Sequence, residues 1–430
     1  MVSRERTLLS LAGAFVVASA LALSLAPFAR AGTWDLGLAF DDYRFWIYPA
    51  AWAGCALVAV LVTQNRLPQH DPYLLPLAFL LSGWGLALIW RLTPNFGLRQ
   101  TAWLAVSTIA MLVIVWLPGD LRWLRRFRYS WFVVGLALTA LTLFIGVNPE
   151  GAGARLWLGG PAGVFLQPAE FLKIVLVVFL AAYLADRREQ IFSRPSANTP
   201  FPRFPNFPYF FPLVSMWLFS VLILLAQRDL GTGTLFFAVF LVLLYLASGQ
   251  VRYVVAGGAL LLLAGMAGYA LFDVVRVRVE AWWDPWADPG GRSFQIVQSL
   301  IALAAGGLFG SGPGLGAAAL VPVAHSDFIF AALGEEWGLL GMMGALAGLL
   351  AFVFRGLHIA MRASGAFNQL LAAGLAALIG LQALLIVGGV IKVIPLTGLT
   401  LPFMSYGGSS LLVQFVMLGL LLRLSAAADR

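Results

Sequence analysis

The chain has 430 residues, of which 61% are hydrophobic and 11% charged, with a mean hydropathy of +0.90. A water-soluble fold of that length has nowhere to bury so much apolar surface, so the sequence reads as an all-α polytopic membrane protein. The net charge of +8 does not signal nucleic acid, because the arginines fall in short connectors between apolar runs, where cytoplasmic anchors belong.

Hydropathy predicts about 12 spans, near 8–29, 45–63, 73–92, 101–117, 129–146, 167–185, 209–226, 231–247, 252–272, 326–354, 366–391 and 408–424. The first run, Leu8 to Phe28, is about 20 residues long, which fits a retained spanning helix better than the core of a signal peptide. With the N-terminus inside, Arg66, Arg122, Arg125, Arg126, Arg128, Arg187, Arg188, Arg194, Arg203, Arg252, Arg355 and Arg362 all fall on the cytoplasmic side. Both termini are then cytoplasmic, as an even number of spans requires. The inside loop 186–208 is basic and carries Pro200, Pro202, Pro205 and Pro208; the outside loop 147–166 is Gly-rich around Trp157. The outside loop 273–325 is long enough to expect structure of its own. Its segment Ser293 to Ala305 reads as a half-polar helix, interfacial or re-entrant, after Trp282, Trp283 and Trp286.

Charge inside such a chain is expensive, so each charged group near a span calls for a reason. Only two of the 27 cationic side chains are lysine, Lys173 and Lys392. Glu170 precedes Lys173 by three residues on one helix face, after Pro168 at a helix start. The pair is either a self-neutralising ion pair or a cation with its orienting acid at a cavity mouth. Gln227, Arg228, Asp229, Leu230 and Gly231 form a tight turn in which Asp229 caps the next helix or the backbone N–H groups meet a phosphate. Ser409 opens the last span beside Gly407 and Gly408, a pattern suited to close helix packing or to leaving room for a lipid or sugar. Asp327 beside His325 is the best candidate for a reacting group, with helix capping as the plainer role. Glu335 is expected about 12 Å deeper along a continuous helix, with Glu336 beside it.

Taken in order, Gly153-Ala154-Arg155-Leu156-Trp157-Leu158, Gln167-Pro168-Ala169-Glu170 with Lys173, Gln227-Arg228-Asp229-Leu230-Gly231-Thr232, His325-Ser326-Asp327-Phe328-Ile329-Phe330, and Pro395-Leu396-Thr397-Gly398 through Ser405-Tyr406-Gly407-Gly408-Ser409-Ser410 resemble the motifs of the SEDS family (shape, elongation, division and sporulation; RodA/FtsW-like). The resemblance covers residues 68–430. It implies a ten-helix SEDS-like core that polymerises lipid II into glycan strands on the outer face of the cytoplasmic membrane, with residues 1–67 as a two-helix N-terminal extension. It also implies that Asp327 is the essential acid, that Trp157, Glu170 and Lys173 support it, and that a class B penicillin-binding protein is the partner. Ser326, Ala169, Arg228 and Leu156 depart from the usual Thr, Ser, Pro and Arg. The expected chemistry is attack of a sugar 4-hydroxyl on an anomeric carbon, with Asp327 as general base and a lipid diphosphate leaving. Lys173, a nearby arginine or a divalent cation (Mg or Mn) would offset the departing charge, although no metal-ligand cluster is readable. A lipid-linked oligosaccharide transporter, using Glu335, Glu336 and Lys173 as a polar pathway, and a non-catalytic scaffold are the competing readings.

Overall fold

The computed structural model describes residues 2–32, 43–118, 120–148, 154–160, 164–192 and 207–428. Gly153 and most of the Pro-rich basic loop, including Arg194, Pro200, Pro202, Arg203 and Pro205, lie outside the described residues.

The helices are α1 (Val2–Ala31), α2 (Ile47–Arg66), α3 (Leu74–Leu92), α4 (Pro94–Trp116), α5 (Arg122–Arg126), α6 (Arg128–Ile145), α7 (Pro168–Phe192), α8 (Phe207–Ala226), α9 (Leu230–Ser248), α10 (Arg252–Leu271), α11 (Asp273–Trp283), α12 (Phe294–Gly306), α13 (Ile329–Arg362), α14 (Ala366–Val390) and α15 (Gly408–Ala428). Among the described residues, twelve of them, all but α5, α11 and α12, are long and apolar enough to cross a membrane. A two-residue hairpin, β1 (Leu158–Gly159) and β2 (Phe165–Leu166), pairs antiparallel between α6 and α7. Local chemistry sets several boundaries. Pro94 and Pro168 occupy first helical positions, where a missing N–H costs nothing, and the Asp229 carboxylate caps α9 by accepting from Thr232 N at 3.0 Å.

The chain forms two compact units. The first comprises residues 1–117, 275–355 and 382–430. Within it α15 lies along α4, α1 along α3, and α2 along α4. The spanning window of α3 is 83% buried, so this helix is the core of its unit. The second unit comprises residues 118–274 and 356–381, with α7 packed on α6 and α9, and α8 on α9. Only 6% of the α10 window is buried, so nearly all of that helix is left to lipid.

Two features differ from expectation. Asp327 is not on a helix that runs unbroken to Glu335 and beyond: α13 starts at Ile329, and Gly338 (φ 65°, ψ −166°) interrupts it. The cause is a close backbone crossing. A side-chain carbon on Gly338 would fall 2.4 Å from the amide nitrogen of Gly310, and the loop after α12 supplies acceptors across the break, with Leu339 N donating to Gly307 O and Leu340 N to Leu308 O. The second is α11, which occupies sequence expected to be loop. The half-polar helix forms as α12; at 13 residues, about 20 Å, it is too short to cross a membrane of about 30 Å.

Candidate active site

In the first unit the reactive-acid candidate sits on a turn, not a helix. Residues 321–328 run from a short 3-10 helix, Ala318–Leu320, into α13. Val323 has φ +54°, a conformation that costs a β-branched residue about 1–3 kcal/mol and persists only where neighbours over-determine it. The neighbour on one shoulder is the segment before α15. Tyr406 N donates to His325 O at 2.8 Å, and the Ser405 hydroxyl donates to Ser326 O at 2.7 Å while accepting from Leu401 N. Gln100 of α4 braces that segment by donating to Ser405 O and accepting from Gly407 N. Asp327 is half-exposed; its Oδ1 accepts from the Ser326 hydroxyl at 2.8 Å, and a side-chain carbon on Gly398 would lie 3.6 Å from Oδ2.

His325 packs at a tilt against Phe96 (4.6 Å between ring centroids), and Phe96 stacks in turn with Tyr406 (4.6 Å). Burial holds the His325 imidazole below its usual range, so it is neutral beside Asp327 at neutral pH. Burial pushes the Tyr406 phenol up, against an opposing hydrogen bond from Arg99. Ser409 is buried in the first turn of α15, where a carbon on Gly408 would collide with the Trp103 indole, so Gly408 serves close packing.

Glu335 and Glu336 are buried, at 6% and 1% exposure, but they do not line a deeper polar path. Both hold the loop 310–317. Glu335 Oε1 accepts from Ala317 N at 2.5 Å, and its carbonyl accepts from Ser311 N and the Ser311 hydroxyl. Glu336 Oε2 accepts from Gly314 N at 3.0 Å, and its carbonyl accepts from Gly312 N. Arg91 Nε lies 3.4 Å from Glu336 Oε1. Carboxylates collecting backbone N–H groups this way are fastenings for the loop, and the two acids lie buried within the unit where Asp327 is half-exposed.

The second unit gathers a separate group. Lys173 Nζ donates to Glu170 Oε1 at 2.6 Å, with side-chain exposures of 1% and 7%. Asp229 lies within electrostatic reach of both; burial raises its carboxyl, Lys173 acts to lower it and Glu170 to raise it further. Two acids thus lie within reach of one ammonium. Gln227 is fastened to α6 through Thr139 O at 2.7 Å and the Thr142 hydroxyl at 2.6 Å, while its own buried Oε1 has no hydrogen-bond partner among the described residues. Trp157 is half-buried and exchanges two backbone hydrogen bonds with Val147; Arg155 is exposed.

The site residues named from the sequence therefore fall into two groups: His325, Asp327, Glu335 and Ser409 in one unit, and Arg155, Trp157, Glu170, Lys173, Gln227 and Asp229 in the other. Among the described residues no three His, Cys, Asp or Glu side chains come together in a way that would hold a metal ion. Sequence reasoning missed Phe96, Gln100, Arg91 and Arg30, which stand in no motif; an uncompensated arginine or glutamine at the end of an apolar run was the one signal available.

These features define a polytopic helical membrane protein with a single half-exposed carboxylate on a strained, well-braced turn. The FtsW/RodA/SpoVE family model, described as a cell cycle protein, matches residues 90–430, and the chain belongs to that family. It is 39% identical over 384 residues to the peptidoglycan glycosyltransferase RodA of Mycobacterium tuberculosis, covering 86% of this chain and 81% of that protein. Its fold is similar to a chain in a peptidoglycan synthase complex studied for polymerization and crosslinking (TM-score 0.69, 28% identity, 84% of this chain and 99% of that one). It is also similar to the rod shape determining protein RodA of Thermus thermophilus (TM-score 0.60, 25% identity, 83% and 96%).

Proposed function

We propose that the chain is a peptidoglycan glycosyltransferase that polymerises lipid II, with Asp327 as general base. The observation that carries this reading is the Asp327 turn, where a half-exposed carboxylate is held by Ser326 beside a neutral histidine, on backbone braced from α4 and the start of α15. A sugar 4-hydroxyl is a poor nucleophile. As its oxygen bonds to the anomeric carbon of a second lipid-linked sugar, the carbon–oxygen bond to the diphosphate breaks, the lipid diphosphate leaves, and the hydroxyl proton passes to Asp327. The neutral His325 adds no competing cation next to that base. The Ser326 hydroxyl orients the carboxylate.

The arginine distribution supports a cytoplasmic-membrane location with both termini in the cytoplasm and the Asp327 turn outside, where lipid II presents its sugars. In unit 1, Arg30 at the far end of α1 from Arg4 and Arg6 reaches the loop leading to that turn. Residues 1–67 form an extension to a glycosyltransferase core of 68–430, and a class B penicillin-binding protein is the crosslinking partner. The transporter reading needed Glu335 and Glu336 on a polar pathway, and those groups are taken up by the loop amides. The test is polymerisation of lipid II by the purified full-length protein, with and without its penicillin-binding partner, for wild type and Asp327→Asn. Glycan strands from wild type and none from the variant are expected; equal polymer from both removes Asp327 from the mechanism.

A further inference from the structure

We propose that α1 is part of the catalytic scaffold and that Arg30, near its end, is a positioning residue for the Asp327 turn. The proposal rests on Asp327 as the reacting acid. The strained turn at Val323 has two shoulders: one is the segment before α15, and the other is the loop 310–317, which passes through the 3-10 helix Ala318–Leu320 directly into residues 321–327. Glu335 and Glu336 hold that loop from the α13 side. From the opposite side it is held by two guanidinium groups that converge on one carbonyl. Arg30 Nη2 donates to Gly316 O at 2.9 Å and Arg91 Nη2 donates to the same oxygen at 3.1 Å.

The contact with α1 is not a single hydrogen bond. Gly314 (φ +78°) lies so close to α1 that a side-chain carbon there would fall 2.7 Å from the Ala26 methyl and 3.3 Å from Leu23. Phe15, two to three turns earlier on α1, packs against Trp337 at 5.4 Å between ring centroids; Trp337 follows Glu336 and precedes the break at Gly338. Both Arg30 and Arg91 act electrostatically on Glu336, whose buried Oε1 has no hydrogen-bond partner among the described residues and is approached by Arg91 Nε at 3.4 Å. At its other end α1 is fixed by Glu5, whose two carboxylate oxygens take His70 Nε2 at 2.8 Å and Gln64 Nε2 at 2.8 Å. A helix anchored at both ends and lying against the loop can transmit constraint to the turn; a loosely appended one could not. Arg30 precedes residue 90, where the match to the family model begins.

A small displacement of a general base lowers turnover without changing how substrate is held, so the expected signature is in kcat and not in KM. The experiment measures lipid II polymerisation by the full-length protein with its crosslinking partner, for wild type, Arg30→Ala, Arg30→Lys and Asp327→Asn, with a thermal melt of each. Arg30→Ala is expected to lower kcat about tenfold with KM within about twofold, and Arg30→Lys, which keeps the charge and one donor, to recover most of it. Wild-type kcat in Arg30→Ala, or a loss fully accounted for by unfolded protein, overturns the proposal. If Arg30→Ala does not fold, Arg30→Gln, which loses the charge, decides in its place: a fall of a few fold in kcat at an unchanged melt supports positioning, and wild-type kcat overturns it. Turnover by Asp327→Asn would overturn the reading of the acid itself, an outcome distinct from any of these.

Discussion

Three acids stand within ten residues of one another at the head of α13, and they meet opposite fates. Asp327 lies on a turn before the helix, half-exposed, with a neighbouring hydroxyl on one oxygen. Glu335 and Glu336 lie on the helix, buried, with loop amides on their carboxylates. In a membrane protein the same residue type is tolerated for either reason, access to water and substrate or a fixed donor on the buried carboxylate. Which reason applies is decided by where the chain returns. The loop 310–317 comes back over Glu335 and Glu336 and stops short of Asp327.

The sharpest way to break the contrast is substitution of Asp327. Asp327→Asn keeps size and hydrogen bonding but not basicity, so polymerisation should fall by at least about 10²-fold while the thermal melt is unchanged. A melt that fell together with activity would make Asp327 one more fastening.

The buried pair in the second unit tests whether a cation as the fixed donor behaves as a loop amide does. Lys173→Met leaves Glu170 buried without its 2.6 Å ammonium and should destabilise by about 3–5 kcal/mol. Replacing both, Glu170→Leu with Lys173→Met, should recover much of that loss in the same melt. A double variant as unstable as the single one would mean that the ammonium is needed for more than its partner.

Glu335→Ala removes the acceptor of Ala317 N and should cost about 1–3 kcal/mol in the melt, with activity falling in proportion to folded protein. Loss of turnover at an unchanged melt would erase the distinction drawn between Glu335 and Asp327.

Much of this architecture was legible because its causes are local. The spans follow from apolar runs, Pro168 and Asp229 mark helix starts, the three-residue spacing of Glu170 and Lys173 puts them in contact, and the polar face of 293–305 gives α12. What escaped has distant causes. In α11, Val275, Arg276, Val277, Arg278, Val279 and Glu280 alternate with a period of two, which offers no helical stripe to read. The partners of Glu335 and Glu336 are backbone amides 18 and 22 residues away, invisible to any reading of side-chain types. The break at Gly338 depends on a crossing segment of loop, and nothing in the sequence links Arg30 to Gly316, 286 residues away.

The smallest expected effect lies at the other end of α1 and concerns pH. His70, in the connector between α2 and α3, has Leu67 O at 2.6 Å from Nδ1 and Glu5 Oε1 at 2.8 Å from Nε2, so an imidazolium there has a partner for each N–H. Burial by itself would lower its pKa and is the largest single influence. The hydrogen bond and charge of Glu5, with Leu67 O and the charge of Asp71, outweigh it and leave the group above its usual value. A raised folded-state pKa means that the native protein binds the proton more tightly than the unfolded chain. The stabilisation is therefore complete below about pH 6.5 and is lost as pH rises through the elevated value. Melts of wild type and His70→Ala should differ by about 1 kcal/mol in mild acid and converge in alkali. A gap that widened with pH would mean that His70 is neutral in the folded protein.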